Sequence, residues 1–346
     1  MDKPKSILFL GETYRADAQT WIKGIESVSG IKVDTLEVKT TRTRFNRILA
    51  FFGFAWKIIV LNFTKTYDLV LAERATSYGL FSLLVRAKKR IVAQQGITDA
   101  WPESGFSGYY KRILQRTVYS KVDLIHAWGE VMVPAMIESK ADPRKIMILP
   151  KGIDLTKYMM VEKKDPALAI VTRSFTEVYH HEDILDALAL LNRHGWSLNL
   201  IMVGDGFLAD HLKRKTKELN LSKQVTFTGR IPNQELPALL SKASIYLSVP
   251  ETEGVSASLF EAMATGCFPI VTDLPGTRAF IKNGENGFLV PVNSPIEIAN
   301  ALTSYLENQE VFKAAVKANR LFIEENVNLQ KNMNTIWNRY LEIFQN

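Results

Sequence analysis

Residues 244–264 read SIYLSVPETEGVSASLFEAMA. A strand-like apolar run, Ser244 to Val249, leads into a polar loop and then a helix-like run from Ser258 to Ala264. Strand, loop and helix in that order make one unit of a parallel α/β sheet. The first N–H groups of a helix lack intrahelical partners and carry partial positive charge, which suits a phosphate. Gly254, Val255 and Ser256 supply amides at that place. Glu253 and Glu261 stand on either side, and a carboxylate repels phosphate. As acceptor-only groups they suit hydroxyls, such as those of a ribose and a sugar. Phosphate in the middle with hydroxyls at both ends describes a nucleotide-sugar. Two solvated surface glutamates are the plainer reading of the same residues, and the surrounding chain decides between them.

At 346 residues the chain suits two domains better than one. With 47% apolar and 23% charged residues it has ordinary globular composition. The longest apolar stretch, Ile48 to Phe63, contains Lys57 and Asn62 and is short for a membrane span. The run Ile7 to Leu10 is too brief for a secretory signal. A single cysteine, Cys267, fits a reducing compartment, so the chain reads as cytoplasmic. Charge is uneven: residues 1–150 hold 23 Lys/Arg against 14 Asp/Glu, and residues 151–346 hold 20 against 22. A basic first half suits an anionic partner such as a membrane surface or a lipid phosphate. A merely solubilising surface is the alternative. Nucleic acid has net charge alone in its favour and is not expected.

Both halves alternate short apolar runs with amphipathic stretches, the pattern of parallel βα units. The first half offers strands at Ser6–Leu10, Ile31–Val38, Tyr67–Ala72, Arg90–Gln94, Val122–Ala127 and Lys145–Leu149. The second offers Ala167–Thr172, Leu198–Val203, Gln224–Thr228, Ser244–Val249, Phe268–Thr272 and Gly287–Val290. The polar stretch Met160–Pro166 reads as a linker. The expected organisation is a first Rossmann-like domain over 1–160, a second over 161–325, and a C-terminal helix over 326–346 packing back on the first. Facing doubly wound domains would bring the carboxyl ends of their strands to one cleft. The motifs do follow strands: Gly11, Arg173, Gly204-Asp205-Gly206, Gly229-Arg230-Ile231-Pro232 and the Glu253 loop.

VGDGFLADHLKRKTKEL, from Val203, and the long stretch VTFTGRIPNQELPALLSKASIYLSVPETEGVSASLFEAMATGCFPIVTDLPGTRAFIKNGENGFLV, from Val225, resemble the donor domain of retaining glycosyltransferases of family 4. These have the GT-B fold. The resemblance covers most of residues 145–325, beginning with LPKGIDLTKY, while the first half is similar only in layout. It implies transfer of a sugar from a nucleoside diphosphate to an acceptor hydroxyl with retained configuration, no metal and no cofactor besides the co-substrate. Glu253 would contact sugar hydroxyls near the reacting carbon, and Glu261 would hold the ribose. Gly254, Val255 and Ser256 would cradle the diphosphate, with Gly204 nearby, and Arg230 and Ile231 would border the base. Arg173 would clamp the diphosphate. The lysine that usually assists it is missing, and RSFTEVYHHEDIL places His180 near its position. The family's Gly-Asn-x-Glu segment is altered too, to Pro275-Gly276-Thr277-Arg278-Ala279.

On the acceptor side stand Gly11 and Arg15 after the first strand, Gln95 after the fourth and His126 at the end of the fifth. His126 has a second reading as a buried structural histidine, and Gln95 as part of a simple turn. A saccharide or lipid-linked acceptor, in polysaccharide or glycolipid assembly, fits a chain peripheral to the inner membrane face. Arg42, Arg44 and Arg47 precede the run ILAFFGFAWKIIVLNF, which suits an interfacial helix. Being apolar on nearly every face, it is expected instead to be a core helix. Other readings are a nucleotide-sugar epimerase or hydrolase and a non-catalytic binding module. A nicotinamide dehydrogenase needs a Gly-x-Gly-x-x-Gly turn, and LFLGETYRAD offers one glycine.

Overall fold

The computed structural model describes residues 4–38, 43–94, 96 and 105–345. Residues 1–152 together with 329–346 form one compact unit, and residues 153–328 form another. Each is built on six parallel strands. In the first, β1 (Ile7–Leu10), β2 (Val33–Leu36), β3 (Tyr67–Glu73), β4 (Ala87–Gln94), β5 (Leu124–Ala127) and β6 (Ile146–Ile148) lie in the order β2-β1-β3-β4-β5-β6. In the second, β7 (Asp165–Val171), β8 (Asn199–Val203), β9 (Val225–Gly229), β10 (Ala243–Ser248), β11 (Phe268–Thr272) and β12 (Phe288–Val290) lie in the order β12-β11-β10-β7-β8-β9. All twelve expected strands are present within a few residues of their expected ends. The inner strands read as largely apolar runs because a parallel sheet is covered on both faces, while the edge strands β2 (VDTL) and β9 (VTFTG) are mixed and only partly buried. Every residue of β1, β10 and β11 is buried.

Strand order reverses between β1 and β3 in the first sheet and between β7 and β10 in the second. Ligands of open parallel sheets sit at such reversals, beyond the carboxyl ends of the strands. Arg173 follows β7 and the Glu253 loop follows β10, so the topology brings two distant motifs to one point.

The second unit begins at Ile153, ahead of the Lys-rich stretch. Ile153 donates its N–H to Val327 O at 2.8 Å, and Ile153 and Tyr158 are buried with Leu259 and Phe260. The helix Leu329–Glu342 belongs to the first unit, where it buries Met333, Ile336, Trp337 and Tyr340. It packs on the helix Ala16–Ser29. A Cβ at Gly24 would fall 2.6 Å from Met333 Sδ, so only glycine admits this approach.

The apolar run 48–63 lies in the helix Arg44–Thr64 and is not a core helix. Phe54 and Ile58 are buried with Tyr78 and Phe81, while Phe52, Trp56 and Phe63 are exposed by 66%, 66% and 85%. One stripe meets the protein, and the rest of the apolar surface faces outward. Among the described residues no helix is long and apolar enough to cross a membrane.

Candidate functional site

Arg173 is the hub of the second unit's site. It leaves the end of β7 and donates from its guanidinium to the Glu253 carboxylate and, at 2.5 Å, to Ser256 Oγ. Its Nε approaches Ser248 Oγ at 3.5 Å, and its Cζ lies 5.2 Å from the centre of the Tyr179 ring. Arg173 and Glu253 are both mostly buried, their side chains 16% and 14% exposed. An ion pair so shielded from water is held firmly and fixes the loop that carries Glu253.

Ser256 caps the helix Ala257–Thr265, its Oγ accepting from Leu259 N at 3.3 Å. The cap satisfies one of the N–H groups that the first turn of any helix leaves without intrahelical partners. Gly276 braces the same loop from behind. A Cβ there would lie 2.1 Å from Gly254 O, so the Pro275-Gly276 segment touches backbone that a larger residue would displace. Gly204, with φ of 151°, approaches Arg173 O in the same way, a Cβ falling at 2.2 Å.

Glu261 lies one turn into the helix and accepts from the Tyr158 hydroxyl at 2.8 Å. Burial pushes its carboxyl up to about 7, with the Tyr158 hydrogen bond and the charge of Arg173 opposing. A carboxyl poised near neutrality accepts hydroxyl hydrogen bonds most strongly once ionised.

Beside this cluster opens a cavity of about 520 Å³, lined by Arg173, Gly204, Arg230, Ile231 and Leu236 among others. Its size suits a small-molecule ligand. The sequence-expected residues Arg173, Gly204, Arg230 and Ile231 are therefore together. His180 is not among that lining. It caps the helix His181–Arg193 at φ 45°, with Nδ1 3.8 Å from Asp183 and Nε2 4.0 Å from Glu251, and lines a separate cavity. Its neighbour His181 bonds Ser174 O at 3.0 Å, and burial lowers its pKa to about 4. It helps set the loop that carries Arg173.

In the first unit the residues expected on the acceptor side fall at the carboxyl ends of β1 and β5. A Cβ at Gly11 would meet Glu73 Oε2 at 2.6 Å. Arg15 pairs with Glu12 at 3.2 Å and Asp17 at 3.3 Å. His126 is wholly buried, with Nδ1 2.6 Å from the Tyr340 hydroxyl and Nε2 2.8 Å from Leu149 O, and burial lowers its pKa to about 3. That is the arrangement of a structural histidine. Gln95 lies outside the described residues, as does Arg42.

Four polar residues of this region were not singled out in the sequence. Arg74 follows β3 in a left-handed conformation, φ 57°, opens a π-helical turn and reaches Glu12 at 2.9 Å. Glu12 N donates to the buried Glu73 at 2.9 Å. Lys151 donates to Asp17 O at 3.0 Å and lies 4.8 Å from the Trp128 ring. Burial lowers its pKa to about 8 against the pull of Asp17 and Glu73. Lys151 lies within LPKGID, a legible motif; the π turn has no sequence signal.

Residues 159–322 match the family described as glycosyl transferases group 1. An uncharacterized glycosyltransferase of Methanocaldococcus jannaschii is 24% identical, over 84% of this chain and 78% of its own. The N-acetylgalactosamine-N,N'-diacetylbacillosaminyl-diphospho-undecaprenol 4-alpha-N-acetylgalactosaminyltransferase of Campylobacter jejuni is 25% identical, over 77% of this chain and 74% of its own. Among solved structures, Anabaena Alr3699/HepE in complex with UDP and glucose superposes with a TM-score of 0.77 at 14% identity, covering 98% of this chain and 99% of that one. That likeness establishes the fold, which is GT-B. The family match and the Arg173–Glu253 site fall in the same unit, so the part of the chain that carries the site is the part similar to the group 1 glycosyl transferases.

Proposed function

We propose that this glycosyltransferase moves a sugar from a nucleoside diphosphate to a hydroxyl of a saccharide or lipid-linked acceptor, with retained anomeric configuration and without a metal. The observation that carries the reading is Arg173, fixed against Glu253 and Ser256 where the strand order reverses. The leaving group is a diphosphate that gains negative charge as the glycosidic bond breaks. A preorganised guanidinium, with the backbone amides at Gly254, Val255 and Ser256 in the loop that enters the helix, would stabilise that charge, and such stabilisation supplies most of the rate enhancement in many enzymes. Glu253 takes the sugar hydroxyls and Glu261 the ribose. In a front-face reaction the departing phosphate accepts the acceptor's proton, so no protein nucleophile is needed.

The relatives supply the ligand class. The HepE structure holds UDP and glucose, and the Campylobacter relative is named for a diphospho-undecaprenol substrate. A lipid-linked acceptor would place the chain on the cytoplasmic side, peripheral to the membrane. Calorimetric titration with nucleoside diphosphates, followed by transfer assays with their sugars, tests the proposal. Proton NMR of the product gives the anomeric outcome. Inversion would reject retention, and complete, metal-restorable loss of turnover in EDTA would reject metal independence. Nucleotide binding with no turnover on any acceptor would leave a binding module. That alternative is favoured by one observation, the turning of His180 toward Asp183 and Glu251.

A further inference from the structure

The helix Arg44–Thr64 presents a stripe that, among the described residues, no part of its own unit covers. Ile48, Phe52, Trp56, Ile59 and Phe63 follow one another at spacings of three and four and are 41–85% exposed. They share one face of the helix, opposite the buried Phe54 and Ile58. A patch of this kind on a protein surface marks an interaction site.

A second helix, Phe106–Lys121, adds Tyr109, Tyr110 and Ile113, exposed by 61%, 57% and 43%. The connections β2 to β3, β3 to β4 and β4 to β5 all cross the sheet in one direction. Right-handed crossovers therefore put both helices on the same face. The segment between them joins the two: the Phe54 and Phe81 rings are 4.7 Å apart, and a Cβ at Gly79 would lie 3.3 Å from Val118 Cγ1.

The charge carried by the two helices themselves is of one sign, although Arg112 pairs with Glu138 at 3.7 Å and Lys65 with Asp34. Residues 44–64 contain three Lys or Arg and no Asp or Glu, and residues 106–121 contain four and none. A second copy of the chain would bring the same cations against themselves, because a two-fold contact pairs like patches. Nucleic acid would match the charge and leave the aromatic stripe in water. An anionic lipid surface satisfies both, with phosphates at the cations and the aromatic rings at the level of the headgroups.

We propose that the helices Arg44–Thr64 and Phe106–Lys121 form the face by which this enzyme docks on an anionic membrane, Phe52, Trp56 and Phe63 entering the headgroup layer. The proposal deepens the lipid-linked acceptor reading and rests on it.

The test uses the full chain and phosphatidylcholine vesicles with and without phosphatidylglycerol. Binding is expected with the anionic vesicles, weakened by salt, and brominated lipid should quench a fluorescence component that Trp56→Phe removes. Replacing Phe52, Trp56 and Phe63 together by Ser should lower partitioning at least about tenfold. Replacing Lys57, Lys111 and Arg116 by Gln should weaken binding and flatten its salt dependence. Nucleoside diphosphate affinity, measured on the same samples, should be unchanged by either set. Equal binding to neutral and anionic vesicles, no binding to either, or a dimer dissolved by the Ser substitutions would each overturn the proposal. Intact nucleotide binding beside failed docking sinks the membrane face alone; docking without nucleotide binding sinks the sugar-transfer reading instead.

Discussion

Glu261 makes the site's pH dependence predictable. Its folded pKa, about 7, lies above the ordinary glutamate value, so the folded protein holds the proton more tightly than the unfolded chain does. That contribution to stability is complete below the ordinary glutamate pKa and is lost as pH rises through about 7. In the proposed role of Glu261 ligand binding runs the other way, because ribose hydroxyls would favour the ionised carboxylate. Nucleoside diphosphate affinity should therefore fall up to about tenfold between pH 8 and pH 6, the change in ionised fraction around such a pKa. Calorimetry at both pH values checks this, and Glu261→Gln should abolish the difference. Arg173→Ala should lower turnover at least about 100-fold, the scale for losing one preorganised donor. Steady-state kinetics against circular dichroism will separate that from misfolding. These two residues were legible because each sits in a contiguous motif directly after a strand. Tyr158 was not: its contact with Glu261 spans 103 residues and exists only once the unit has folded.

At the scale of elements, most strands were readable from short apolar runs bounded by turn residues, and the mixed edge strands β2 and β9 from the regular alternation of the pattern around them. The helix Arg44–Thr64 was readable as a helix and misread as core, because periodicity reports which faces are apolar and not which of them is covered. The π turn at Arg74–Gly79 is set by tertiary contacts, among them Arg74 with Glu12. The segment Pro275–Arg278 departs from the family pattern in sequence, yet its Gly276 still supports the loop that carries Glu253. Gly276→Ala should force Gly254 O to move, costing about 1–3 kcal/mol of stability. Its effect on nucleotide affinity should exceed that of an alanine at the exposed Gly53, where a Cβ meets nothing within 4 Å. Chemical denaturation and nucleotide titration of both variants measure the two effects.

Over the whole molecule, the two-unit plan was visible as a restart of the βα pattern, while the joint at 152–153 was not. Composition marks the Lys-rich stretch, but the joint is fixed by Ile153 bonding to Val327. Two units with separate cores predict separable responses to heat. A nucleoside diphosphate at 100 times its Kd should stabilise the second unit by about 2.7 kcal/mol by mass action. Tyr340→Phe, which removes the buried hydroxyl beside His126, should destabilise the first by about 1–3 kcal/mol and leave nucleotide affinity unchanged. Differential scanning calorimetry with and without nucleotide will read both; a Tyr340→Phe variant with altered affinity would show the units to be coupled. The return of the helix Leu329–Glu342 to the first unit also bears on how the chain is made. A ribosome completes residues 1–152 early, but the face of the helix Ala16–Ser29 that bears Gly24 stays bare until Met333 arrives. At about 5–20 residues per second, synthesis of the intervening second unit takes roughly 10–35 s. The first unit is therefore begun before the second and completed after it, and for that interval it exposes apolar surface of the kind chaperones shield.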